Sequence, residues 1–254
     1  MKIALITGAA RGIGFAIAEK LHSNGYYVIG VDRNDRQHEA LDKFFKIDLA
    51  HLDQIEDLVK QLQRDYDQLD LLVNNAAIAD GQTSLDTSVE DFELVLQVNL
   101  VASFALCKLC YPLLKKCCGS IINISSVHAY KSVAGLPPAY VASKGGLLAM
   151  TINLAHEYSP EVRVNTVLPG AIETELMREA FARALGFDSP EAAGEELEKM
   201  VAKLGRFGAI TGRVGRPSEI AEVVLFLADN DKSSYVTGTA VRADGGMLVK
   251  LETE

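Results

Sequence analysis

KIALITGAARGIG, residues Lys2 to Gly14, runs a β-branched apolar stretch straight into three glycines and then into a helical pattern. It reads as strand, tight turn and helix. Gly8 permits the turn, Gly12 lets backbone approach a ligand closely, and Gly14 lets the helix pack near the strand. The N-terminus of the following helix, from Ile13 onward, favours an anion such as a phosphate. The spacing is G-x3-G-x-G, and a glycine cluster by itself is also what a plain turn looks like.

The pattern repeats outward from there. Short apolar runs at Lys2–Thr7, Tyr27–Val31, Phe44–Leu49, Leu69–Asn74, Ser120–Ser125, Val162–Leu168 and Tyr235–Arg242 read as strands. Helical patterns at Phe15–Ser23, Leu52–Tyr66, Phe92–Leu114, Tyr140–Tyr158, Glu175–Leu204 and Ile220–Ala228 fall between them. Apolar strands alternating with helices predict an α/β fold, with a parallel sheet covered by helices on both faces. No linker or repeat interrupts the chain, so a single domain over residues 1–254 is expected. In such sheets ligands bind beyond the carboxyl ends of the strands.

Composition narrows the partners. The chain is 48% hydrophobic and 23% charged, with a net charge of −9. Such a surface repels nucleic acid and anionic membrane. The most apolar long stretch, Val95–Leu114, is broken by Gln97, Asn99, Ser103, Lys108 and Pro112 and does not read as a membrane span. The first residues lack the long apolar core of a secretory signal, so a cytoplasmic location is expected. Cys107 and Cys110 form a CxxC inside a helical pattern, without a second ligand pair. They read, with Cys117 and Cys118, as buried or half-buried free thiols and not as a metal site.

The strand ends carry the informative residues. Asp32 ends the second strand, eighteen positions after Gly14. A carboxylate there can accept from both hydroxyls of an adenine ribose and repels a 2′-phosphate, which favours NAD over NADP. Arg11 and Arg33 pull the other way, since a guanidinium can hold that phosphate. NNAA (Asn74–Ala77) ends the fourth strand, with either a structural or a cofactor-lining role. Ser125 and Ser126 end the fifth. Asn99 is a poor helix former within a helical pattern and needs a partner, a water or a kink. YVASK (Tyr140–Lys144) sets a phenol and an ammonium at i and i+4, on one helix face.

Together these motifs resemble the short-chain dehydrogenase/reductase family essentially end to end. TGAARGIG, Asp48–Leu49, NNAA, Asn99, Ser126 with Tyr140-x-x-x-Lys144, the Pro169–Gly170 of LPGAIET, GRPSEIAEVVLFLA and the closing DGG match its pattern in order. The resemblance implies a Rossmann-type doubly wound sheet and a catalytic set of Asn99, Ser126, Tyr140 and Lys144. It places Asp48 and Leu49 beside the adenine, and Asn75, Pro169, Gly170, Ile172 and Thr174 around the ribose and nicotinamide. It implies a homotetramer. Serine to tyrosine is one residue longer than usual, so Ser125 competes with Ser126; Ser126 is favoured because it follows the strand end. NNAA stands where NNAG is commoner.

The chemistry follows from the residue types. A phenol of ordinary pKa about 10 is a poor base at neutral pH. An ammonium about 5 Å away, at an effective dielectric of about 20, would favour phenolate by roughly 3 kcal/mol, or about 2 pKa units. Ser126 would steady the substrate oxygen, and Asn99 would anchor a water. The expected activity is NAD-dependent interconversion of a secondary alcohol and a ketone on a sugar, polyol or small hydroxy compound. An NADPH-dependent 3-oxoacyl carrier-protein reductase is the second reading and a non-catalytic dinucleotide sensor the third. His128, Ala129, Tyr130, Pro137 and Pro138 are candidate substrate contacts. Residues 175–213 form a candidate helical lid.

Overall fold

The structure, a computed structural model, describes residues 1–35, 38–79, 83–133 and 136–250; the other positions of the expected 1–254 domain lie outside the described residues. Seven parallel strands form one sheet: β1 (Lys2–Thr7), β2 (Tyr26–Asp32), β3 (Lys43–Lys46), β4 (Leu71–Asn74), β5 (Ser120–Ile124), β6 (Arg163–Pro169) and β7 (Ala240–Ala243), in the order β3-β2-β1-β4-β5-β6-β7. The order reverses between β1 and β4, the place where sheets of this kind bind ligands beyond the strand ends. The central strands are apolar along their length because helices cover both faces.

One face packs against α2 (Leu52–Asp65), α4 (Ala102–Lys115) and α5 (Pro138–Tyr158), burying Leu5, Ile55, Leu62, Leu106 and Leu154. The other packs against α1 (Gly12–Ser23) and α8 (Pro217–Ala228), burying Ile6, Ile17, Leu21, Ile220 and Val224. A third, small cluster of Ala182, Ala193, Leu197 and Val201 lies between α6 (Glu175–Ala184) and α7 (Pro190–Gly208), outside both layers.

The expected long helix runs as α3 (Val89–Leu96), a π-helical turn over Gln97–Val101, and α4. The π turn centres on Asn99, the polar residue whose side chain finds partners in Ile78 and Ser143. By length and hydropathy alone Val89–Lys115 is apolar enough to cross a membrane. In the fold its inner side, including Leu106, Cys107, Cys110 and Leu114, is buried on the sheet.

Some boundaries differ from the sequence pattern. The charged stretch after Glu175 breaks at 185–189, where Gly186 takes φ 84°, and again inside α7 at a kink where Gly194 takes φ 46°. The last strand is only Ala240–Ala243, because Val236 N–H turns back to Ser233 O and Gly238 takes φ 68°. A short α9 (Asn230–Ser233) precedes it. Cys107 and Cys110 are buried, and burial pushes the Cys107 thiol up to about 12. Cys118 departs from the expected buried thiol: it is exposed, at φ 53°, where the chain leaves α4 for β5.

Candidate active site

The glycine loop meets the sequence at every atom that the turn requires. A Cβ on Gly14 would lie 2.0 Å from Gly8 O, so α1 sits directly on the loop. A Cβ on Gly8 would lie 2.8 Å from Ala76 Cα, and Gly8 and Gly12 take φ 66° and 59°. The loop is stapled across the switch point. Asn75 Nδ2 donates to Thr7 O (2.9 Å) and Gly8 O (3.1 Å), and Thr7 Oγ1 accepts from Asn75 and Ala76 N–H at 3.0 Å each. The Asn75 amide nitrogen is thus spent on the loop, a structural role for NNAA. Thr7 is a staple that the sequence pattern did not single out.

No side chain caps α1, and no carboxylate stands in its first turn. The N–H groups at Gly12, Ile13 and Gly14 are left for an anion, which is the fit a pyrophosphate needs. Asp32 stands beside them. Its Oδ2 accepts from Ala10 N–H (3.1 Å) and its Oδ1 from Asn34 N–H (2.9 Å), so each oxygen keeps a lone pair for a ribose hydroxyl. His38 Nε2 lies 3.2 Å from Ala9 O, so the Ala9–Ala10 peptide is held at both ends. His38 was invisible to motif reading. Ile47 N–H donates to Asp32 O (2.9 Å), which brings Asp48 and Leu49 to the same edge. There Asp48 Oδ1 accepts from Ala50 N–H (3.0 Å) and Leu49 is buried.

Arg33 is exposed. Arg11 is not turned toward Asp32. Its Nη1 and Nη2 fork onto Glu179, the second bond at 3.2 Å, and Nη1 lies 3.4 Å from Glu175 Oε2. As a phosphate-binding candidate Arg11 is therefore engaged elsewhere in the free chain.

β5 and α5 bring the reactive residues together. Lys144 is 2% exposed; its Nζ donates to Ile124 O (2.8 Å) and lies 5.6 Å from the Tyr140 ring centre. Ser125 Oγ donates to Lys144 O (2.7 Å), so that hydroxyl is spent holding α5 to the strand end. Ser126 Oγ accepts from His128 N–H (3.2 Å) and stands beside the Tyr140 phenol. Of the two serines, Ser126 is the one whose hydroxyl stands beside the Tyr140 phenol. Asn99 spends its side chain on structure. Nδ2 donates to Ile78 O (2.9 Å) and Ser143 Oγ (3.1 Å), and Oδ1 accepts from Ile78 N–H (2.8 Å). Ser143 in turn donates to Tyr140 O (2.7 Å), a link from the π turn to the tyrosine's own turn of helix.

The electrostatics differ from the expected tuning. Burial pushes the Tyr140 phenol above its ordinary pKa, and the Ser126 contact opposes this only in part. Burial pushes the Lys144 ammonium down to about 8. The sequence argument weighed the attraction of two charges and left out the cost of burying both. His128, with Nδ1 3.0 Å from Lys131 O, is pushed down by burial and is neutral at pH 7.

The segment after β6 closes over the loop. Gly170 N–H donates to Ala243 O (3.1 Å), and a Cβ on Gly170 would lie 2.8 Å from Asp244 Cα. Pro169 ends the strand, and Ile172 pairs with Gly215. Thr174 Oγ1 caps α6 by accepting from Met177 N–H (3.2 Å), while its Cγ2 lies 3.4 Å from where a Gly12 Cβ would stand.

Over residues 8–248 the chain matches a family profile described as Enoyl-(Acyl carrier protein) reductase. It is 35% identical to 3-oxoacyl-(acyl-carrier-protein) reductase FabG of Thermotoga maritima, with 98% of each chain covered. It is 34% identical to L-fucose dehydrogenase of Oryctolagus cuniculus, covering 96% of this chain and 84% of that one. Ligand-free aldohexose dehydrogenase of Thermoplasma acidophilum shares the fold at a TM-score of 0.91 and 31% identity, with 98% and 95% covered. Two further solved structures hold different cofactors. 4-Hydroxyisoleucine dehydrogenase complexed with NADH is 30% identical, with a TM-score of 0.84 and coverage of 99% and 100%. L-Sorbose reductase of Gluconobacter frateurii, complexed with NADPH and L-sorbose, is 27% identical, with a TM-score of 0.89 and coverage of 98% and 97%. The chain belongs to the short-chain dehydrogenase/reductase family. It is an oxidoreductase of CH–OH groups that works with a nicotinamide dinucleotide.

Proposed function

We propose that the protein interconverts a secondary alcohol and a ketone on a sugar or polyol, with NAD as its preferred dinucleotide. The observation that carries this reading is Ser126, Tyr140 and Lys144 gathered at the carboxyl end of β5, on the sheet edge where the glycine loop leaves its N–H groups open. A bound nicotinamide ring supplies or accepts the hydride. The residues of the chain handle the oxygen and its proton. Ser126 Oγ hydrogen-bonds the substrate oxygen and stabilises charge that develops on it. Tyr140, its pKa raised, holds its proton at neutral pH and donates it to a ketone oxygen; in the reverse direction the phenolate takes the alcohol proton. With its pKa pushed down to about 8, Lys144 stays mostly charged at pH 7 and steadies that phenolate. Asn99 acts through Ser143 and Ile78 as a positioning residue.

The NAD preference rests on Asp32, a carboxylate at the end of β2 held beside the glycine loop, which would accept from ribose hydroxyls and repel a 2′-phosphate. Asp32→Ala is expected to raise kcat/KM for NADP relative to NAD by at least tenfold, about 1.4 kcal/mol. An unchanged ratio would place the ribose elsewhere. The sugar reading is supported by the aldohexose and L-fucose dehydrogenases among its relatives.

The second reading, an NADPH-dependent 3-oxoacyl carrier-protein reductase, is favoured by the 35% identity to FabG. A net charge of −9 disfavours an acidic carrier protein as partner. One experiment separates the two. Sugars, polyols, simple secondary alcohols and hydroxyacyl thioesters are offered with NAD and with NADP, and reduced nicotinamide is followed by absorbance. Turnover of sugars or polyols with NAD supports the reading; turnover confined to thioesters with NADP replaces it with the second. A protein that binds NADH and turns over nothing would be the sensor.

A further inference from the structure

Arg11 is the one basic side chain in the loop Gly8–Gly14, and it is the natural counter-ion for a 2′-phosphate. Its neighbour Ala10 donates to Asp32, so the guanidinium starts one residue from the carboxylate that marks the ribose edge. It does not stay there. Both Nη atoms fork onto the two oxygens of Glu179, and Nη1 also reaches Glu175. Glu175 and Glu179 are four residues apart on α6 and therefore share one helix face. Thr174, capping that helix, touches the loop beside Gly12, so the start of α6 is fixed where that face meets Arg11.

An exposed ion pair is a weak hold, and these three side chains are 33%, 38% and 50% exposed for Arg11, Glu179 and Glu175. The fork adds geometry to it. Two parallel N–H···O bonds fix the guanidinium plane, and a phosphate can take Arg11 only by displacing a carboxylate that already matches it.

We propose that Glu179, supported by Glu175, is a cofactor-specificity residue: it holds Arg11 on α6 and so denies the guanidinium to a 2′-phosphate. Asp32 repels that phosphate, and Glu179 removes one of the two cations, Arg11 and Arg33, that could offset the repulsion. This rests on the reading of the protein as NAD-preferring, and it predicts that the preference is set from two distant parts of the chain.

The test is the affinity of the purified protein for adenosine 2′,5′-bisphosphate and for AMP, by calorimetry, with NADP and NAD turnover measured beside it. Glu179→Gln keeps the shape of the side chain and removes its charge. It is expected to tighten bisphosphate binding by about three- to fivefold, the scale of one released exposed ion pair. AMP binding should change by less than about twofold. The gain should be absent when Glu179→Gln is made together with Arg11→Ala. It should also be absent in Glu198→Gln, which removes a carboxylate paired with Arg178. No tightening, or tightening that persists without Arg11, overturns the proposal. Wild-type protein that already binds the bisphosphate more tightly than AMP would sink the NAD reading. The proposal would then still be decided by whether the Glu179→Gln gain needs Arg11.

Discussion

Tyr140→Phe abolishes turnover, by about a thousandfold or more, while leaving NADH binding within about threefold; this is the result expected from removing a general acid and keeping everything else. The ring of Tyr140 still packs, Lys144 still has Ile124 O as a partner, and Ser126 is still held by His128 N–H. Only the exchangeable proton is gone. Rates from steady-state turnover and binding from quenching or enhancement of nicotinamide fluorescence separate the two effects. Residual turnover within tenfold of wild type would remove Tyr140 from the chemistry. The raised phenol pKa and the depressed lysine pKa also make Lys144→Met informative. It takes away the charge that steadies the phenolate, so its loss should be greater for alcohol oxidation than for ketone reduction.

Gly14→Ala is the larger structural insult. The new methyl would stand 2.0 Å from Gly8 O and 2.5 Å from Asn75 Nδ2, one a backbone atom and the other a side chain already spent on the loop. Neither can yield without moving α1 off the sheet. Overpacking of this kind costs about 1–3 kcal/mol, and displacing the first turn of α1 by about 1 Å costs about a hundredfold at a positioned site. The melting temperature should fall by roughly 5 °C or more, and dinucleotide affinity by about a hundredfold. Gly145→Ala is the control. A Cβ at Gly145 meets nothing within 4 Å, so the change should be neutral or slightly stabilising. A Gly14→Ala protein with normal melting and normal affinity would mean that the loop and helix do not touch as described.

The residues that were legible in the sequence are those whose work is local. Gly8 turns the loop at φ 66° and Gly14 packs on Gly8 O within it, and the i, i+4 spacing of Tyr140 and Lys144 follows from helix geometry. The doubly wound sheet was legible because strands buried on both faces carry unbroken apolar runs. What could not be read depends on distant partners or on desolvation. Arg11 meets Glu179 across 168 positions, and nothing in TGAARGIG signals it. The Ser125 hydroxyl is taken by a bond to a backbone carbonyl nineteen residues on. The direction of the Tyr140 shift depends on burial, which spacing does not reveal. The last strand was overextended because 235–239 has strand-like composition but turns at Gly238, which is left-handed.

The small cluster between α6 and α7 has a consequence for how the molecule breathes. Those helices are held together by Ala182, Ala193, Leu197 and Val201, whereas the two layers on the sheet bury long rows of leucine, isoleucine and valine. A segment with so little buried apolar surface of its own opens at a lower free energy than the whole protein unfolds. Amide hydrogens of α6 and α7 should therefore exchange with deuterium faster than those of β1, β4 and β5 by at least about a hundredfold. Equal protection in both would mean that the pair opens only when the sheet does.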